Sequence, residues 1–148
     1  MTHEFAVKSI LHQLGIGKSY KGYDFIVYAM HMILLDESLL ECVTKSLYID
    51  IARVFHTSST CVERDIRKVI EVIWKQNQEN RLLIISIFGL KYSSVKPSNK
   101  AFLDLLYEYV KSYDLLDELF HVEKIICPIS KDVCNAYKEI VEKMTNLK

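Results

Sequence analysis

Between residues 57 and 74 the apolar side chains Val62, Ile66, Val69, Ile70 and Ile73 recur three and four positions apart, the repeat of a helix with one face in a core. Cys61, Glu63, Arg64, Arg67 and Lys68 fall outside that stripe, so the same helix has a polar face with basic side chains near its start. The helical period also runs through the chain before it. Phe5, Val7, Ile10, Leu11 and Leu14 predict a short packing helix over residues 4–14, stopped by Gly15-Ile16-Gly17. Phe25, Ile26, Ala29, Met30, Ile33 and Leu34 predict a long apolar helix over residues 21–36. Leu39, Leu40, Val43, Leu47, Ile51, Ala52 and Phe55 continue the register over residues 38–55, as two helices or one bent near Tyr48. A helix carrying the small Ala52, the polar turn His56-Thr57-Ser58-Ser59 and a second amphipathic helix have the layout of a helix-turn-helix.

After Trp74 the polar KQNQEN marks a break, and residues 81–88 predict a short apolar helix ended by Gly89. Residues 91–99 contain Pro97 and turn formers and read as a loop. Ser98 or Asn99 then caps a helix that carries Phe102, Leu105, Leu106 and Tyr109 to about residue 111. Residues 113–148 read as two more amphipathic pieces separated by Pro128. The expected fold is all-α. A multi-helix domain with a helix-turn-helix, of winged-helix-like type, occupies residues 1–110, and a C-terminal helical extension occupies residues 111–148.

Composition adds limits. With 148 residues, 50% of them apolar and 26% charged, there is material for one ordinary core. Lys plus Arg equals Asp plus Glu at 19 each, which counts against a strongly basic nucleic-acid binder. Over residues 45–81 the balance tips: seven basic side chains (Lys45, Arg53, Arg64, Arg67, Lys68, Lys75, Arg81) face five acidic ones (Asp50, Glu63, Asp65, Glu71, Glu79). A surplus that small does not predict tight non-specific binding. The opening MTHEFAVKS lacks a signal pattern, and no apolar run reaches the roughly 18 residues a membrane span requires. A cytoplasmic protein with no membrane contact is expected. Cys42, Cys61, Cys127 and Cys134 are scattered without a CxxC pair and read as reduced thiols.

Candidate chemistry points away from catalysis. GIGKS, residues 15–19, ends like a phosphate loop, but His12 stands where the motif needs Gly, and a helix leads in where a strand is required. His31 has no second ligand one turn away, and His121, Cys127 and Cys134 are spaced too loosely for zinc, so core cysteines are the better account. No nucleophile elbow, HExxH motif or metal-spaced carboxylate pair occurs. The expectation is no enzyme, no metal and no cofactor.

The basic face is more informative. Arg64, near the start of its helix, can pair bidentately with a guanine edge, and its plain alternative is a surface salt bridge to Glu63 or Asp65. Thr60-x-x-Glu63 fits a capping box, yet a Glu carboxylate can equally accept from cytosine N4. Arg67 and Lys68 suit phosphates or base edges, or else a solvated face. Thr60 and Cys61 complete the base-reading set, Cys61 with only weak hydrogen bonding to offer. Ser59, Lys96 and Ser98 are candidate phosphate contacts.

Taken in order, ILHQLGI, KGYDFIVYAM, LLECVTKSLYIDIARVF, CVERDIRKVIEVIW, IFG and KPSNKAF closely resemble the C-terminal effector domain of the stage-zero sporulation response regulator A, over residues 8–108. The resemblance implies a six-helix domain that recognises a short promoter box in double-stranded DNA, often as a head-to-tail pair, and contacts the RNA polymerase sigma factor. It implies that residues 59–75 are the recognition helix, with Glu63 and Arg64 facing bases. Three departures qualify it. No receiver domain accompanies the match, so control by the chain's own phosphorylation is not expected. Cys61 stands where the family carries Arg, and Asp65 where it usually carries Ala. The family domain also lacks the extension after Lys111.

Two functions are therefore expected as alternatives. Retained Glu63, Arg64 and Arg67 favour a sequence-specific transcription regulator. Neutral net charge, Cys61 and Asp65 favour a protein-interaction module with weak DNA binding, pairing as a homodimer or as a heterodimer with the full-length regulator.

Overall fold

Thr2 opens the first helix by accepting a hydrogen bond from the Phe5 N–H at 3.3 Å. In the computed structural model, which describes residues 2–121 with side chains as far as Ser112, six α-helices follow and no strand occurs among the described residues. They are α1 (His3–Gln13), α2 (Lys21–Leu35), α3 (Tyr48–Val54), α4 (Ser59–Lys75), α5 (Arg81–Phe88) and α6 (Asn99–His121). The fold is all-α, as the periodicity predicts. No helix among the described residues is long and apolar enough to cross a membrane.

α1 stops where Gly15 takes φ +85°. Beyond it Ile16 N–H donates to Leu11 O at 2.8 Å, and Gly15 N–H donates to His12 O at 3.0 Å. This pair of bonds is the Schellman closure, which favours glycine at the left-handed position. The GIGKS segment is thus a turn between helices, with no phosphate loop.

α2 buries Tyr23, Phe25, Ile26, Ala29, Met30 and Ile33, and α4 buries Val62, Ile66, Val69, Ile70, Ile73 and Trp74. These two stripes face each other across the core. The backbones come closest at Gly22, where a Cβ would lie 2.3 Å from Asp65 O and 2.6 Å from Val69 Cγ2. Only a residue without a side chain allows that approach.

Residues 37–47 depart from the expected helical run. They form a 3₁₀ turn over Glu37–Leu40 and a π turn over Val43–Leu47 before α3 begins at Tyr48, the place where a bend is predicted. The Asp36 carboxylate accepts from Ser38 N–H at 3.1 Å and starts the first turn. Leu40, Val43, Leu47 and Ile51 keep steps of three and four and are all buried, so tight and wide turns bury the same positions as an α-helix does. Phe5 and Phe55, inward by spacing, are 60% and 37% exposed.

At the far end of α4, Trp74 Nε1 donates to Tyr92 O at 2.7 Å and Asn77 Nδ2 donates to Ser93 O at 3.1 Å. The Trp74 ring meets Phe88 edge-on at 5.1 Å, and Phe88 stacks on Phe102 at 5.1 Å. This aromatic group joins α4, α5 and α6. Ser98 caps α6, its hydroxyl accepting from Ala101 N–H at 3.2 Å. α6 runs past the expected end near residue 111 to His121. The chain divides into two compact units, Met1–Lys111 and Ser112–Lys148, and the division falls within α6. The helical pair expected over residues 113–148, beyond the end of α6, lies outside the described residues, as do the side chains of His121, Cys127 and Cys134.

Candidate nucleic-acid interface

α3, the turn at residues 55–58 and α4 make a helix-turn-helix. The turn closes through Thr57 N–H donating to Ala52 O at 2.9 Å, with His56 between them at φ +53°. Ser58 comes next, in extended backbone, and its hydroxyl accepts from Cys61 N–H at 3.2 Å. Ser58 is therefore the cap of α4, which removes the capping box, one of the two readings open for Thr60 and Glu63. The reason is positional: a cap sits in extended backbone before the first turn, whereas Thr60 is already inside the helix. The Glu63 carboxylate instead accepts from Arg67, one turn on.

Helical spacing places Thr60, Arg64 and Arg67 along the middle of the outward face of α4, and all three are exposed. Glu63, half-buried, lies on one side of that line, and Cys61, half-buried, with Lys68, exposed, on the other. Ser59, in the first turn, is half-buried.

The Glu63 side opens into a cleft of about 550 Å³ whose walls include Lys45, Tyr48, Arg67, Lys96, Ser98 and Lys100. Lys96 and Ser98 were expected near the site, and the fold brings them to it. Lys45 and Lys100 were not singled out: they come from distant segments and meet only in this cleft. On the opposite side, Arg64 and Lys68 share a second cleft of about 480 Å³ with Lys21 and Gly22 at the start of α2. The outward face of α4 thus runs between two rims that carry lysines.

Asn99 was also missed as a site residue. Its Nδ2 donates to Tyr48 Oη at 3.1 Å and to Glu63 O at 3.0 Å, tying the first residue of α6 to α3 and to the start of α4. Burial pushes the Tyr48 phenol above its ordinary value while the Asn99 bond pulls the other way, so at neutral pH the phenol stays uncharged.

The charges on the face are largely paired. Arg64 Nε lies 3.5 Å from Asp65 Oδ1, Arg67 pairs with Glu63, and Lys96 Nζ lies 3.5 Å from Glu71 Oε1. Lys21, Lys45, Lys68 and Lys100 have no ion-pair partner among the described residues. The hydroxyls of Ser58 and Thr57, and then the Arg64 guanidinium, hold the Cys61 thiol below its ordinary value.

An all-helical domain whose two-helix motif presents an exposed, donor-rich helix face is a helix-turn-helix domain of the DNA-binding, transcription-regulating class. The family described as sporulation initiation factor Spo0A C terminal matches residues 7–110. The chain belongs to that family, one of DNA-binding regulatory domains of sporulation and not an enzyme family.

Proposed function

We propose that the chain is a sequence-specific transcription regulator that lays α4 in the major groove of a promoter box, with Arg64 as its principal base reader. The observation that carries this is the Arg64 side chain, 66% exposed on the second turn of α4, on a face whose two rims carry Lys21 and Lys45, Lys96 and Lys100. A helix that enters the groove reads bases from the middle of its outward face, while its rims meet the two phosphate strands. In that placement Thr60, Cys61, Glu63, Arg67 and Lys68 reach base edges, and Ser59, Lys96 and Ser98 reach phosphates.

A gel-shift series with the family's promoter box and a scrambled duplex tests it. Arg64→Ala is expected to cost about 1–3 kcal/mol on the box, the worth of one bidentate base contact, with little change on the scrambled duplex. Equal affinity and equal preference in Arg64→Ala would refute the reading.

A second reading has its own support. The carboxylates that pair Arg64, Arg67 and Lys96, together with exposed Leu35, Leu82, Leu90 and Val95, favour a module that binds protein: the sigma factor, a second copy or a full-length paralogue. No gel shift at low salt, with a dimer in gel filtration, would support this alternative.

A further inference from the structure

Three cations of the candidate interface each have an internal carboxylate partner, and all three carboxylates belong to α4 itself. From this we infer that Glu63, Asp65 and Glu71 act as a built-in competitor for phosphate, a specificity device that suppresses binding to DNA without the right base edges. The inference rests on α4 being the DNA-reading helix.

Phosphate oxygens attract a cation and accept its hydrogen bonds, but they donate none, so they give a displaced carboxylate no partner. Random duplex must therefore displace a carboxylate that remains attached to the helix and then faces the phosphate with like sign. Asp65 is the strongest case. Its side chain is only 13% exposed, and its backbone is pressed against Gly22, so it has little room to withdraw when DNA arrives. Glu63 is anchored nearby through the Asn99 bond to its carbonyl. Glu71 reaches across to Lys96, on the loop that forms the rim. Each of these pairs has at least one member well exposed to water and is weak taken singly. Their combined effect is on the field: Glu63 flanks one side of the outward face, Asp65 the other, and Glu71 lies about 12 Å along the helix from Glu63, so each carboxylate opposes phosphate on its own side.

A matching base sequence changes the balance, because base edges offer acceptors and donors together. Guanine O6 and N7 accept from an Arg, and cytosine N4–H donates to a carboxylate, so Arg67 and Glu63 both regain partners when their pair opens, and Arg64 regains one when it leaves Asp65. The carboxylates thus subtract more from non-specific binding than from specific binding.

The test compares wild type with a face variant, Glu63→Gln, Asp65→Asn and Glu71→Gln combined, and with a control of equal charge change elsewhere, Glu79→Gln, Asp104→Asn and Glu108→Gln combined. Circular dichroism first confirms that each is folded. Binding to the family box and to random duplex is then measured across salt concentrations. The face variant is expected to bind random duplex about tenfold tighter at low salt, with a slope of log K against log salt steeper by up to about 2.7, or 0.9 for each carboxylate removed. Its ratio of box to random affinity falls, while that of the control stays at the wild-type value. Equal changes in face and control variants, or a face variant that keeps the wild-type ratio, would overturn the competitor while leaving α4 as the reader. Failure of the wild type to bind either duplex at low salt would overturn both.

Discussion

Replacing Gly22 with alanine adds one methyl group where α2 touches α4. The new carbon would meet Asp65 O at 2.3 Å, Val69 Cγ2 at 2.6 Å and Asp65 C at 2.8 Å. Two of those atoms are backbone in the interior of α4, so no rotamer change relieves them. An ordinary contact lies near 3.5 Å, which requires the helices to part by about 1 Å. Parting loosens the packing between Phe25, Ile26 and Ala29 on one side and Val62, Ile66 and Val69 on the other. Overpacking of this kind costs about 1–3 kcal/mol, and alanine returns at most about 1 kcal/mol of helix propensity. A net loss of about 1–2 kcal/mol lowers the melting temperature by roughly 4–8 °C in a domain of this size. Gly17→Ala is the control, since nothing lies within 4 Å of its added carbon. Thermal unfolding followed by circular dichroism measures both. A Gly22→Ala protein that melts at or above the wild-type temperature would refute the argument from close approach.

Other perturbations follow from the same geometry. His56 holds a left-handed backbone, a strain of about 1–2 kcal/mol against the roughly 0.5–1 kcal/mol that glycine loses on ordering. His56→Gly should therefore raise the urea midpoint slightly and His56→Val lower it, and the reverse order would contradict the strain. Asn99→Ala removes two hydrogen bonds that join three helices and should cost about 1 kcal/mol in urea unfolding, so an unchanged midpoint would show the tie to be idle. The depressed Cys61 thiol predicts that its alkylation by iodoacetamide reaches half its plateau rate below pH 9. Because the thiolate is the reactive form, the rate rises with pH through that midpoint; a midpoint at or above 9 would contradict the hydroxyl and guanidinium stabilisation.

Much of the fold is legible in the chain because the long helices repeat one signal. Every member of the stripe read in residues 57–74, from Val62 to Ile73, is buried in α4. Residues 37–47 were less legible, because 3₁₀ and π turns bury the same three- and four-step positions as an α-helix. The cap of α4 is not legible in the sequence, where a capping box at Thr60 is one of two open readings, because Ser58, Ser59 and Thr60 are chemically alike as caps. Only the turn closed at His56 and Thr57 decides which of them is still extended. In the candidate site, the residues on α4 could be read from spacing and from the family resemblance. Lys45, Lys100 and Asn99 could not, since what matters about them is a meeting of segments as far apart as residues 45 and 100. The ion pairs were half visible: Asp65 and Glu63 were named as alternatives for Arg64, but the reach of Glu71 to Lys96 depends on where the loop settles.

Trp74 is the one tryptophan in the chain, 8% exposed and hydrogen-bonded to Tyr92 O. It gives the protein an intrinsic fluorophore at the opposite end of α4 from Arg64, ten residues or about 15 Å along the helix axis. Unfolding exposes the indole to water and shifts its emission to the red. The pocket beside the indole is also lined by Glu71 and Lys96, so a ligand confined to the Arg64 end of α4 leaves the indole environment unchanged, whereas one that reaches Lys96 alters it. Unlabelled emission therefore reports whether α4 is folded and, in the folded protein, whether a ligand has reached the Lys96 rim.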